Sequence, residues 1–236
     1  MKRRALLACL GGAIAIRPCN AFAQQPRVPT VGVLVIGKPD PALMLRTFRG
    51  ALRKLGYVEG LNIRLDIRSA DGDLRRLPAL ADELARDRVD VMATWMTPAV
   101  LAAKRATSSI PIVMIGAADP VGMGIVKSLA RPGANVTGVA GMTADLAGKL
   151  VELLKEMLPG VTRIAALCNA ADPFSKPYRE RIEAAGKTNG IEIAPLMVNE
   201  GAELDAAFPQ MIDAKIASVI VQPSLPLAHA AGLALR

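Results

Sequence analysis

Val89-Asp90-Val91-Met92-Ala93-Thr94 and Ile112-Val113-Met114-Ile115 are two apolar, β-branched runs, and between them lies Pro98-Ala99-Val100-Leu101-Ala102-Ala103. The runs read as strands, and Pro98 opens a helix carrying Val100, Leu101 and Ala103. Two strands joined by a helical crossover lie parallel, because a tight hairpin cannot return the chain to the same end of a sheet. The same unit repeats on either side. Upstream, strands Val31–Ile36 and Ile63–Ile67 flank a helix over 42–55, with Leu45, Phe48, Leu52 and Leu55 on one face. A further helix over 74–86 leads back into the strand at Val89. Downstream, the pattern predicts a short helix over 121–129 and a strand over 135–139.

The pattern then restarts. Helices over 144–158, 178–187 and 204–214 alternate with strands over 164–168, 191–198 and 218–221. Strands begin near 31, 63 and 89 in the first half, and near 164, 191 and 218 in the second. The chain is therefore expected to be α/β, with two lobes of similar build, each a parallel sheet flanked by helices. The lobes are 24–140 and 141–236, joined around 138–145. In such sheets ligands bind beyond the carboxyl ends of the strands, so two facing lobes place the site between those ends.

Residues 1–23 read as a signal peptide. Lys2, Arg3 and Arg4 precede an apolar run to Ile16, and Ala21-Phe22-Ala23 supplies the small residues of a cleavage site before Gln24. Arg3-Arg4 also fits a twin-arginine signal. The expected location is the periplasm. Without this segment the formal charge falls from +8 to +4, with no basic stripe and few aromatics, which argues against nucleic acid as a partner. Cys168 is then the only cysteine and His229 the only histidine. Thiolate-pair metal sites are thereby excluded, a single histidine argues against nucleophile–histidine machinery, and neither enzyme chemistry nor a metal or cofactor is expected. Cys168 ends an apolar strand and reads as buried and inert.

Several ordered motifs resemble the periplasmic substrate-binding proteins of ABC transporters, in the group related to tryptophan- and tyrosine-type uptake receptors. Thr97-Pro98-Ala99-Val100-Leu101-Ala102-Ala103-Lys104 runs into Ile110-Pro111-Ile112-Val113, then Asp119-Pro120-Val121 and Arg131-Pro132-Gly133-Ala134-Asn135-Val136-Thr137-Gly138. Phe48-Arg49-Gly50, Gly56-Tyr57-Val58-Glu59-Gly60 and Arg163-Ile164-Ala165-Ala166-Leu167 are similar to further pieces. The resemblance implies a type I binding-protein fold whose lobes close on a small molecule, an amino acid by analogy, and a membrane permease that receives it. It implies a monomer without cofactor. Members of the group continue beyond this length, so an incomplete second lobe is expected. An exported sensory module docking on a membrane receptor, or a non-functional fragment, are the alternatives.

Candidate ligand contacts are the polar and aromatic residues at strand ends. Thr94, Trp95 and Thr97 precede or open a helix, where free N–H groups suit a carboxylate and the indole can stack on an apolar ligand. Asp119 suits a ligand ammonium or the cap of a helix near Val121. Met142 and Thr143 lie at the crossover. Asn169 and Asp172 follow the first strand of the second lobe, and Gln222 and Ser224 the third.

Overall fold

The computed structural model describes residues 27–37, 43–141, 143–199, 202–216 and 218–225. Residues 1–23 (expected to be a signal peptide), Met142, His229 and the last residues of the given sequence lie outside the described residues. In the first lobe, β1 (Thr30–Val35), α1 (Leu43–Lys54), β2 (Arg64–Ser69), α2 (Leu77–Arg86), β3 (Val91–Trp95), α3 (Met96–Ala106), β4 (Ile112–Ala118) and β5 (Val136–Gly141) follow one another. The second lobe runs α4 (Thr143–Met157), β6 (Arg163–Asn169), α5 (Ser175–Asn189), β7 (Glu192–Val198), α6 (Ala202–Asp213) and β8 (Val219–Val221). Two sheets result, ordered β2-β1-β3-β4-β5 and β7-β6-β8, and every pairing is parallel.

Burial explains why the strands read as unbroken apolar runs. All of β1 is buried, because helices cover both faces of its sheet. Val31, Val33 and Val35 pack with Leu45 of α1, while Leu34 packs with Leu77, Ala81 and Leu84 of α2. In the second lobe Ile164, Ala166 and Cys168 face Ala147, Val151, Tyr178 and Ile182. Ala165 and Leu167 face Leu204, Ala207 and Phe208 of α6. Each lobe is thus a sheet between two helical layers.

Three readings of the sequence need correction. The helices expected at Pro98 and Tyr178 begin earlier, at Met96 and Ser175. In both, a proline (Pro98 or Pro177) is the third helical residue, where its missing N–H belongs to the first turn, which lacks intrahelical acceptors anyway. The helix over 74–86 is a single 3-10 turn, Leu74–Arg76, followed by α2. Finally, residues 121–129 form turns and bends instead of a helix. Asp119 and Gly124 have φ of 42° and 65°, so the backbone leaves the right-handed region at both ends of one turn. The Met123 N–H donates to Asp119 O and the Ile125 N–H to Pro120 O, closing that turn without propagating it.

Candidate ligand-binding site

Residues that follow four different strands converge on one cavity between the lobes. Met96 and Thr97 follow β3, Gly116 and Ala118 end β4, Asp172 and Phe174 follow β6, and Gln222, Pro223 and Ser224 follow β8. Thr143, the first residue of α4, completes the wall of a space of ≈ 290 Å³. Met96, Pro223 and Ser224 also border a neighbouring space of ≈ 590 Å³ lined by Ile36, Met44, Trp95 and Leu225. That second space is mainly apolar. Its Trp95 ring is braced edge-on by Phe48, with centroids 5.3 Å apart at 88°.

The second lobe lines the cleft with a connected polar network. Gln222 is central: its Oε1 accepts the Asn169 N–H at 3.0 Å and lies 2.8 Å from the Ser175 hydroxyl, while its Nε2 donates to Asp172 Oδ2 at 2.8 Å. Asp172 Oδ1 accepts the Phe174 N–H at 2.8 Å, and Asn169 Nδ2 donates to Ser224 O at 3.3 Å. The Ser175 hydroxyl also reaches Asn169 O. All five side chains are buried. Neutral donors satisfy Asp172, and no basic side chain is hydrogen-bonded to it among the described residues. Burial pushes its carboxyl pKa up, an effect partly offset by the Ser224 hydroxyl, the Phe174 N–H and Gln222. Ser224 Oγ draws that pKa down without meeting hydrogen-bond geometry; it is buried and without a partner among the described residues.

Helix starts supply the opposite polarity. α3 and α4 begin at the cavity wall, and α5 begins just after Phe174. α3 carries no acidic residue in its first turn, which leaves its partial positive end uncompensated, whereas the Asp172 carboxylate lies against the start of α5 through the Phe174 N–H. The cleft therefore pairs one buried carboxylate with an electropositive helix end and an adjoining apolar space.

Of the residues expected from the sequence, the first cavity brings together Thr97, Thr143, Asp172, Gln222 and Ser224. Trp95 lines the apolar space. Asn169 belongs to the polar network and borders a separate interlobe space with Asp73 and Glu203. Thr94 is fully buried inside its sheet, its hydroxyl 3.4 Å from Val113 O. Thr97 borders the cavity, but its hydroxyl is taken by the Ala118 N–H at 2.9 Å. Asp119 does not line the first cavity; its carboxylate accepts the Gly122 N–H and faces Arg181. Sequence reasoning passed over Ser175, although it opens a helix just after a strand end, which is the signal used for its neighbours. Met96, Gly116 and Phe174 are apolar wall residues that carry no such signal.

Residues 30–229 match the family of ABC transporter substrate binding proteins. The chain belongs to this family. It is 31% identical over 166 residues to a tyrosine-binding protein of Clostridioides difficile, covering 70% of this substrate-binding protein and 47% of that relative. Its fold is the type I periplasmic binding fold. It superposes with a TM-score of 0.76 and 25% identity on a structure from Streptococcus pneumoniae in complex with L-Trp, covering 87% of this chain and 69% of that one. Against the ligand-free, open structure of a substrate binding protein with adhesive properties from Clostridium difficile, the TM-score is 0.53 at 30% identity, covering 82% and 65%. The present chain thus spans about half of its curated relative and two thirds of these structures. Among the described residues no helix is long and apolar enough to cross a membrane.

Proposed function

We propose that this protein is an exported receptor that captures a zwitterionic amino acid in the interlobe cleft and delivers it to an ABC permease. The observation that carries the reading is Asp172: a buried carboxylate at the cavity wall that lacks a cationic partner among the described residues and has its pKa raised by burial. A ligand ammonium relieves that charge. The start of α3 suits the ligand carboxylate, and the space beside Trp95 suits an apolar or aromatic side chain. The tyrosine-binding relative and the L-Trp complex support the same ligand class. The signal-peptide reading of residues 1–23 supports cleavage near Ala23 and action in the periplasm.

Titration calorimetry of the full chain with L-tyrosine and L-tryptophan, alongside their deaminated acids, tests the proposal. Asp172→Asn is expected to weaken amino-acid binding by about ten-fold or more, the scale of one charged hydrogen bond, and to leave the deaminated acids unaffected. Equal affinity of both proteins for the amino acids rules out the ammonium role of Asp172.

A further inference from the structure

The turn that replaces the expected helix after β4 is also where the lobes meet. Met123 at its centre packs against the core beneath β3 and β4 and against the core beneath β6. At its start, Asp119 Oδ1 accepts the Gly122 N–H at 3.0 Å, and Oδ2 accepts from Arg181 Nη2 of α5 at 3.1 Å. A Cβ on Gly122 would stand 2.4 Å from Asp119 Oδ2, so glycine at this position lets the carboxylate fold over the turn and point at the other lobe. Arg181 is set apart from the other cations of α5. Lys176 pairs with Glu180 and Arg179 with Glu183 along the helix, whereas Arg181 reaches out of its helix to Asp119. Its Nη1 is buried without a partner among the described residues, so the bond to Asp119 is what holds the guanidinium in place. Neither residue lines the ligand cavity. The chain, in which this pair is formed, superposes better on the L-Trp complex than on the ligand-free, open structure, with TM-scores of 0.76 and 0.53.

We infer that Asp119 and Arg181 form an interlobe latch outside the binding cavity, and that Arg181 is a positioning residue which sets apparent affinity by favouring the closed arrangement. The inference rests on the receptor reading above. A ligand that binds only closed lobes has its apparent dissociation constant raised by the reciprocal of the closed fraction, so a latch tightens binding without touching the ligand. The pair is partly exposed, with side-chain exposures of 40% and 27%, which limits its effect to a few-fold and makes it sensitive to salt.

Small-angle scattering of the unliganded full chain tests the latch, with wild type, Arg181→Gln and Arg181→Lys compared at low and high salt. Arg181→Gln is expected to enlarge the radius of gyration and to weaken L-tryptophan or L-tyrosine binding roughly two- to five-fold. The ligand-saturated radius should stay unchanged. High salt should shift wild type toward the variant and leave the variant where it is, and Arg181→Lys should recover most of the compact state. An unliganded radius that ignores both the substitution and salt overturns the latch. If neither amino acid binds any of the proteins, the receptor reading fails, and the scattering comparison still decides whether the pair holds the lobes together. Should Arg181→Gln not fold, the salt response of wild type and of Arg181→Lys decides the same question.

Discussion

The two lobes share an architecture but bury their polar groups differently. Among the described residues of the first lobe the buried polar side chains are Thr30, Thr94 and Thr97, and the hydroxyls of Thr94 and Thr97 bond to backbone groups. In the second they are Asn169, Asp172, Ser175, Gln222 and Ser224, tied to one another at the carboxyl ends of β6 and β8. A hydroxyl bonded to its own sheet stabilises the lobe and offers little to a visitor. A network built around an uncompensated carboxylate is costly to bury and presents chemistry at the cleft. The first lobe thus lines the cleft with shape, helix ends and the Trp95 wall, and the second lines it with connected polar groups.

This division can be broken by substitution. Gln222→Ala removes the acceptor for the Asn169 N–H and the donor to Asp172 Oδ2, leaving both buried groups unpaired, and leaves the Ser175 hydroxyl with Asn169 O alone. It is expected to cost about 3 kcal/mol by calorimetry, through unmet hydrogen bonds in a buried network. Thr97→Val in the first lobe removes a single acceptor, that of the Ala118 N–H, and should cost about 1–2 kcal/mol in the same measurement. Equal losses at the two sites would mean that the network is no more cooperative than an isolated hydroxyl.

The smallest effect concerns pH. Because the Asp172 carboxyl pKa is higher in the folded chain than in the unfolded one, its contribution to stability is fully present below the ordinary carboxylate range. That contribution is lost as pH rises through the raised folded value. Denaturation of Asp172→Asn across the same range should lack this decline, and a matching decline in both proteins would assign it to other groups.

The alternation of strands and helices was legible because both sheets are covered on two faces, which turns strands such as β1 and β6 into continuous apolar runs. Helix starts were less so: Pro98 read as an opening although it is the third residue of its helix, and the helix expected from Tyr178 begins at Ser175. The spacing of Val121, Ile125 and Val126 mimics a helical face, and only the positive φ at Asp119 and Gly124 breaks it. The strand-end rule named five residues that share the first cavity, but it could not show which polar groups join into a network. Asn169 and Gln222 are 53 residues apart, and Asn169 by itself reads as a turn former. Arg181 was invisible among the alternating charges of α5, because its partner lies 62 residues away in the other lobe.

Parallel pairing also sets an order of assembly. Thr30 and Asp90, at the foot of the first sheet, are separated by 60 residues, and no strand of either sheet can pair without closing a long loop. Such topologies fold over milliseconds to seconds, while helices form within about a microsecond. The polar network needs β8 beside β6, because Gln222 and Ser224 arrive only with that strand. A nascent chain therefore carries its helices and most of its first sheet before the cleft gains its polar network, which is complete only when β8 docks beside β6.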